Sequence, residues 1–280
     1  MNVFISGDIE GITGLVAWSQ CGRPNSDHFD FDFARRMYTH DINSAIRGAR
    51  HAGAGRIVVK DSHGNSKNLL IDQLEPGIEL VSGYGSRFEG MMVGLDSSFD
   101  AAMLIGYHAM AGTLHGVMEH TISGRVHRMW INGKLTGEIG LSTITAGNFG
   151  VPLVAISSDV AGCAEAADLI PQVQSAAVKN GFGRYMSQVK HPSDTGQMIE
   201  EAARSGAEMS NSIAPYRIES PHTVRVEFNR SEEADMAVRV PATSRVDAYT
   251  IERTSDDWED LHRSIWCMIS MAEAGAQANN

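Results

Sequence analysis

The sequence predicts an α/β fold: a mostly parallel sheet flanked by helices, followed by a smaller α+β part at the C-terminal end. Three observations carry this expectation. The runs Val3-Phe4-Ile5, Ile57-Val58-Val59 and Ala102-Met103-Leu104-Ile105 are short and unbroken, as strands buried on both faces are. Stretches of helical periodicity separate them, and alternating β and α elements argue right-handed crossovers. Each run also ends in a residue type that binds metals: Asp8 and Glu10, then His63, then His108. Ligands of open α/β sheets sit at the carboxyl ends of strands.

The elements follow in order. The first strand is expected over 2–6, then a long polar loop from Gly11 to Asp30. A connection that long is often functional. Ala34, Tyr38, Ile42, Ala45 and Ala49 recur at helical spacing, and Gly53 suits the helix end. Strands are expected at 56–59, 79–82 and 101–107, with a short helix over 69–74. The next segment has a different texture. Residues 117–122 and 126–131 read as short β runs, and Asn132-Gly133 is a strong hairpin turn closed by Leu135. A helix over 138–148, a buried strand over 151–157 and a helix over 161–169 complete the alternation. Beyond, a helix is expected over 194–209 with Ser193 or Asp194 as its N-cap. Strands follow over 222–228 and 247–252. A last helix places Trp258, Leu261, Ile265, Met268 and Ala272 on one face, and the tail from Gly275 is expected to fray. The predicted organisation is a metal-binding catalytic domain over 1–190 and an α+β region over 191–280, packed with it as one unit or apart.

Composition narrows the function. The 280 residues are 42% hydrophobic and 20% charged, enough for one large domain or two small ones. A formal net charge of -11 without a Lys/Arg cluster argues against a nucleic-acid partner. No apolar run has membrane-spanning length, and the N-terminus lacks a basic leader. Cys21, Cys163 and Cys267 are odd in number and far apart, which fits a reducing cytoplasm rather than a disulfide framework. Walker A and Gly-x-Ser-x-Gly motifs are absent.

Each candidate site residue has a structural alternative. Asp8 and Glu10, two apart at a strand end, face one side and repel unless a cation lies between them. The alternative is a loop aspartate with an N-capping glutamate. His63, in Asp61-Ser62-His63, is a metal ligand with a carboxylate beside it or part of a helix-capping cluster. His108 is a ligand or a satisfied structural histidine. His120 lies in a β-like run that can face the rim, whereas His115 and His127 read as loop and hairpin residues. Glu138 is a further ligand or a first-turn glutamate favoured by the helix dipole. Together Asp8, Glu10, His63, His108 and Glu138 offer oxygen and nitrogen but no sulfur. A closed structural zinc needs only four ligands, often with cysteine. Five ligands with one shared suit two metals about 3.5–4 Å apart, an arrangement that activates water for hydrolysis.

The segments Asp8-Ile9-Glu10-Gly11-Ile12-Thr13-Gly14, Asp61-Ser62-His63, Gly106-Tyr107-His108-Ala109, Gly116-Val117-Met118-Glu119-His120 and Gly137-Glu138-Ile139-Gly140 occur in an order and spacing that resembles the zinc-dependent D-aminopeptidases of peptidase family M55, the dipeptide-transport-operon type. Ala176-Ala177-Val178-Lys179 extends the likeness. The resemblance implies two Zn2+ per chain. Asp8 bridges both ions, Glu10 and His63 bind one, and His108 and Glu138 bind the other. His120 is implied as the catalytic histidine, and a ring-like homodecamer as the assembly. The expected function is an aminopeptidase acting on short, D-residue-containing peptides. A metal-dependent amidase or phosphoesterase, or a non-catalytic metal-stabilised assembly protein, are the alternatives. The loop Met110–His115 departs from the family pattern and bears on substrate preference.

Overall fold

The computed structural model describes residues 1–21, 30–85 and 90–277. Part of the expected long loop, 22–29, and the last residues of the tail lie outside them. Six strands form the parallel body of the first sheet: β1 (Asn2–Gly7), β2 (Arg56–Asp61), β3 (Glu79–Val81), β4 (Ala101–Ile105), β7 (Leu153–Asp159) and β8 (Gln174–Gly183). Between β4 and β7 the chain makes β5 (Val126–Ile131) and β6 (Lys134–Leu135), which belong elsewhere. The spatial order is β3-β2-β1-β4-β7-β8, closed by the antiparallel edge strand β9 (Met186–Val189). This is the doubly wound order, in which the chain reverses direction across the sheet between β1 and β4.

Helices α1 (Phe31–His51) and α4 (Pro192–Glu208) pack on each other in one layer; α2 (Glu138–Asn148) and α3 (Val160–Leu169) make another. Pro192 occupies the first turn of α4, so that helix begins earlier than expected, with His191 as its N-cap. The expected 69–74 helix is a single 3-10 turn over Ile71–Gln73.

The second sheet is antiparallel, in the order β11-β12-β10-β5-β6, with β10 (His222–Phe228), β11 (Thr243–Arg245) and β12 (Thr250–Ser255). Helices α5 (Ser231–Ala237) and α6 (Trp258–Gln277) cover it. Elements cross position 190 in both directions: α4 packs on β7 and β8, while the 126–135 hairpin pairs with β10. Asn132 and Gly133 both adopt positive φ at its turn, as the sequence predicts.

Helix α2 joins the two cores. Ile139 and Ala146 belong to the first, Leu141 and Ile144 to the second. Every residue from Glu138 to Gly147 is buried, which explains why the helix has no polar stripe. The same burial carries Glu138 to the switch point of the first sheet.

Candidate metal centre

Strand register brings the first ligands together. Gly7 of β1 pairs with Asp61 of β2 on one side and Ile105 of β4 on the other. The residues just beyond these ends share one rim. The two chains cross there at backbone distance. A Cβ on Gly11 would lie 1.7 Å from the Tyr107 carbonyl oxygen, and one on Gly106 would lie 2.2 Å from the Asp8 carbonyl oxygen. Only glycine permits this approach.

The expected ligands meet here. Asp8 stands in the middle: its Oδ1 is 3.4 Å from His63 Nδ1 and its Oδ2 is 3.4 Å from His108 Nε2. Glu10 Oε2 is 3.1 Å from His63 Nδ1. Glu138 Oε1 is 3.4 Å from His108 Nε2 and 3.6 Å from His120 Nε2. Asp8, Glu10, His108, His120 and Glu138 are buried, and the His63 side chain is 11% exposed. His115 and His127 are exposed.

Each histidine is oriented by a backbone carbonyl. His63 Nε2 lies 3.2 Å from the Cys21 oxygen, His108 Nδ1 lies 3.0 Å from the Ala109 oxygen, and His120 Nδ1 lies 3.0 Å from the Met118 oxygen. Donating one N–H this way turns the other nitrogen toward the carboxylates. A neutral imidazole nitrogen facing a carboxylate oxygen sets two acceptors against each other. Either a proton or a cation must lie between them. The protein's own charges favour protons. Burial opposes charging His63 and His108, but Glu10 and Glu138 outweigh it and hold both imidazoles well above their ordinary range. Burial, reinforced by Glu10, pushes Asp8 up to about 7. Burial and the neighbouring His108 push His120 down to about 4.

A cation fits the same space. Asp8 Oδ2 and His108 Nε2 are buried without a hydrogen-bond partner among the described residues. The ligand atoms of Asp8, Glu10 and His108 lie within 4.8 Å of one another, and so do those of His108, His120 and Glu138. The donors are oxygen and imidazole nitrogen, which suit zinc and similar divalent ions. His108 and His120 stack at 4.0 Å with rings only 12° from parallel. Ring lone pairs lie in the ring plane, so two stacked imidazoles do not aim at one point.

The surroundings show what the sequence reading missed. Asp61 faces away from the histidines: it accepts from the backbone N–H of Asn68 and Leu69 and organises the 62–69 turn. The expected strand over 117–122 is a series of turns with one bridge, Thr121–Ser123, and positive φ at Met118 and Ile122. Carboxylates take the place of a strand partner, since Asp159 accepts from Val117 N–H at 2.7 Å and Glu138 from Ile122 N–H at 2.5 Å. Trp18 meets the His120 ring edge to face at 5.0 Å and donates its indole N–H to the Tyr185 hydroxyl at 3.1 Å. Lys179, pushed down to about 8 by burial, donates to three carbonyls of the Glu10 loop. A lysine closing the apolar run Ala176-Ala177-Val178 was the available signal for it.

Fold and cluster define a class: a doubly wound α/β protein with carboxylates and imidazoles gathered at its switch point. Comparison with known proteins places it more narrowly. The sequence matches the M55 peptidase family, D-aminopeptidase, over residues 1–267. It is 30% identical over 275 residues to a D-aminopeptidase of Bacillus subtilis (strain 168), covering 97% of this chain and 98% of that one. The fold is similar to that of the solved "Zn-dependent D-aminopeptidase DppA from Bacillus subtilis, a self-compartmentalizing protease", with a TM-score of 0.93, 29% identity and 98% of each chain covered. The chain belongs to the M55 D-aminopeptidase family and is a peptide hydrolase.

Proposed function

We propose that this chain is a di-zinc aminopeptidase that releases the N-terminal residue of short peptides, with D-residues preferred at that position. The observation that carries the reading is the pair of orphaned atoms, Asp8 Oδ2 and His108 Nε2, facing each other at 3.4 Å inside a ring of further donors. Asp8, Glu10, His63, His108 and Glu138 would hold the ions, with Asp8 placed between the two histidines. Three buried carboxylates also call for more positive charge than one divalent ion brings. Zinc bound there would supply a Lewis acid for the scissile carbonyl and for water.

The remaining work belongs to the protein. His120 is the proton carrier. Its Nδ1–H is engaged by Met118, so Nε2 alone faces the cluster. Burial holds that nitrogen below its ordinary range, so it is unprotonated at neutral pH and able to take a proton from the attacking water. It then returns the proton to the leaving amine. Trp18 and the stacked His108 fix the ring plane during both transfers.

The description of DppA as self-compartmentalizing supports homo-oligomeric assembly here, with ten chains as the working number. No helix among the described residues is long and apolar enough to cross a membrane, and we place the protein in the cytoplasm.

The test is amino-acid release from D-Ala- and L-Ala-dipeptides before and after chelation, with metal analysis and light scattering on the same sample. Zinc-dependent release with D-preference supports the reading. A fully metallated protein that releases no N-terminal residue from either panel sinks it.

A further inference from the structure

Two buried side chains of opposite charge occupy paired positions where β7 ends against the middle of β8, and each reaches a different loop of the site. Lys179 is 1% exposed. Its Nζ donates to the carbonyl oxygens of Glu10 at 2.6 Å, Ile12 at 3.0 Å and Leu15 at 2.6 Å. All three ammonium donors are used. Those carbonyls belong to one curl of chain. It starts at the ligand Glu10 and runs on to Trp18, against His120, and to Cys21, whose carbonyl orients His63. Three carbonyl dipoles pointed at one spot repel each other, and buried without a donor they are strongly unfavourable. The lysine therefore satisfies the inner carbonyls of the curl, while Asp41 holds its outside through the backbone N–H and hydroxyl of Thr13.

Asp159 is also 1% exposed. A register shift after Ser158 sets it opposite Lys179 in the β7–β8 pairing. Its Oδ1 accepts from Gly162 N–H at the start of α3, and its Oδ2 from Val117 N–H, both at 2.7 Å. Val117 leads directly into Met118, which holds His120. The aspartate thus grips the loop of the proton carrier, and the lysine grips the loop of the metal ligand.

We propose that Asp159 and Lys179 are positioning residues that form a two-armed brace, the lysine pre-setting the Glu10 loop for metal binding and the aspartate pre-setting the His120 loop for proton transfer. Burial of one charge beside the other lowers the desolvation penalty of each, so neither arm is independent of its neighbour. The proposal rests on the zinc aminopeptidase reading above for the function of each loop, but not for the existence of the brace.

The experiment compares Lys179→Met and Asp159→Asn in the full chain. Zinc affinity is read by competition with a colorimetric chelator, and kcat and KM at saturating zinc. Lys179→Met is expected to weaken zinc binding about 10- to 100-fold. Asp159→Asn is expected to leave zinc affinity within about threefold while kcat drops at least about tenfold. A merely structural role lowers thermal stability in both but does not split the two readouts. Equal losses in both variants, or the reverse pattern, overturn the proposal. If Lys179→Met does not fold, Lys179→Arg keeps the charge but not the three-carbonyl geometry and is held to the same expectation. Hydrogen exchange on the wild-type chain needs no variant. Stripped of zinc by chelation, it is expected to keep protection at the amides of Gly11 and Thr13, whose bonds to the Gly106 carbonyl and the Asp41 carboxylate form only while the lysine keeps the curl closed. Full exchange there overturns the brace. A wild-type chain that binds no zinc refutes the functional reading instead, and the exchange result still decides the brace.

Discussion

The two ends of the candidate metal centre are built differently. At one end, Asp8, Glu10 and His63 lie just beyond the tips of adjacent parallel strands, and sheet register brings those tips together. His63 is partly open to solvent, at 11% exposure. At the other end, His108 comes from a strand tip, but Glu138 opens a helix and His120 hangs from a loop of turns. This end is sealed, with His108 at 1% exposure, and its loop is held by the carboxylates of Asp159 and Glu138. One end is set mainly by strand register, with Lys179 holding the loop that follows Glu10, and the other by carboxylates that hold its turns. Changes around the strand-tip end are therefore expected to register in zinc affinity, and changes around the sealed end in kcat.

The largest effect is expected where the ends join. Asp8→Asn removes the whole carboxylate charge at the shared position, and peptidase activity should fall by about a thousandfold or more, with less than one zinc retained per chain. Undiminished zinc content would mean that Asp8 bridges nothing. His120→Ala separates ligand from proton carrier. Zinc content should be unchanged while kcat drops about 10²–10⁴-fold. Zinc loss in this variant, measured by metal analysis, would make His120 a ligand and redraw the sealed end.

Gly11→Ala tests the crossing of β1 and β4 that both ends share. Its methyl group would press on the Tyr107 carbonyl at 1.7 Å, so the strand ends must part. Urea denaturation should show a loss of about 2–3 kcal/mol. The smallest effect concerns Glu165, near the sealed end. It accepts from Met110 N–H through Oε2, while its buried Oε1 has no partner among the described residues. Burial pushes its pKa up to about 7 from 4.5. A raised carboxyl pKa means the native state binds the extra proton between these values, so stability falls as pH rises through that window. Glu165→Gln should therefore be neutral at pH 5 and stabilising by about 1–3 kcal/mol at pH 8. A Tm gain that is the same at both pH values would show that the carboxyl is not perturbed.

The same contrast explains what could be read from the sequence. Strand tips are legible because a strand buried on both faces is an unbroken apolar run, and its end is marked by the first polar residue. Asp8, Glu10, His63 and His108 were found that way. Glu138 was legible as an isolated acid at a helix start, though its partners were not. Residues 117–122 misled because Val117, Met118 and Ile122 mimic a strand, while positive φ at Met118 and Ile122 and two remote carboxylates make the segment a turn. Asp159 and Lys179 act through backbone groups far away in sequence, and no local pattern reports such contacts. The edge hairpin β8–β9, the three-residue β11 and the seven-residue α5 are too short or too mixed in burial to show a period.

We propose that these side chains come together to share a pair of cations. Anomalous scattering at the zinc edge from crystals of the zinc-loaded protein tests this most directly. Two peaks about 3.5–4 Å apart on either side of the Asp8 carboxylate are the predicted result. A single peak, or none within bonding distance of Asp8, would contradict it.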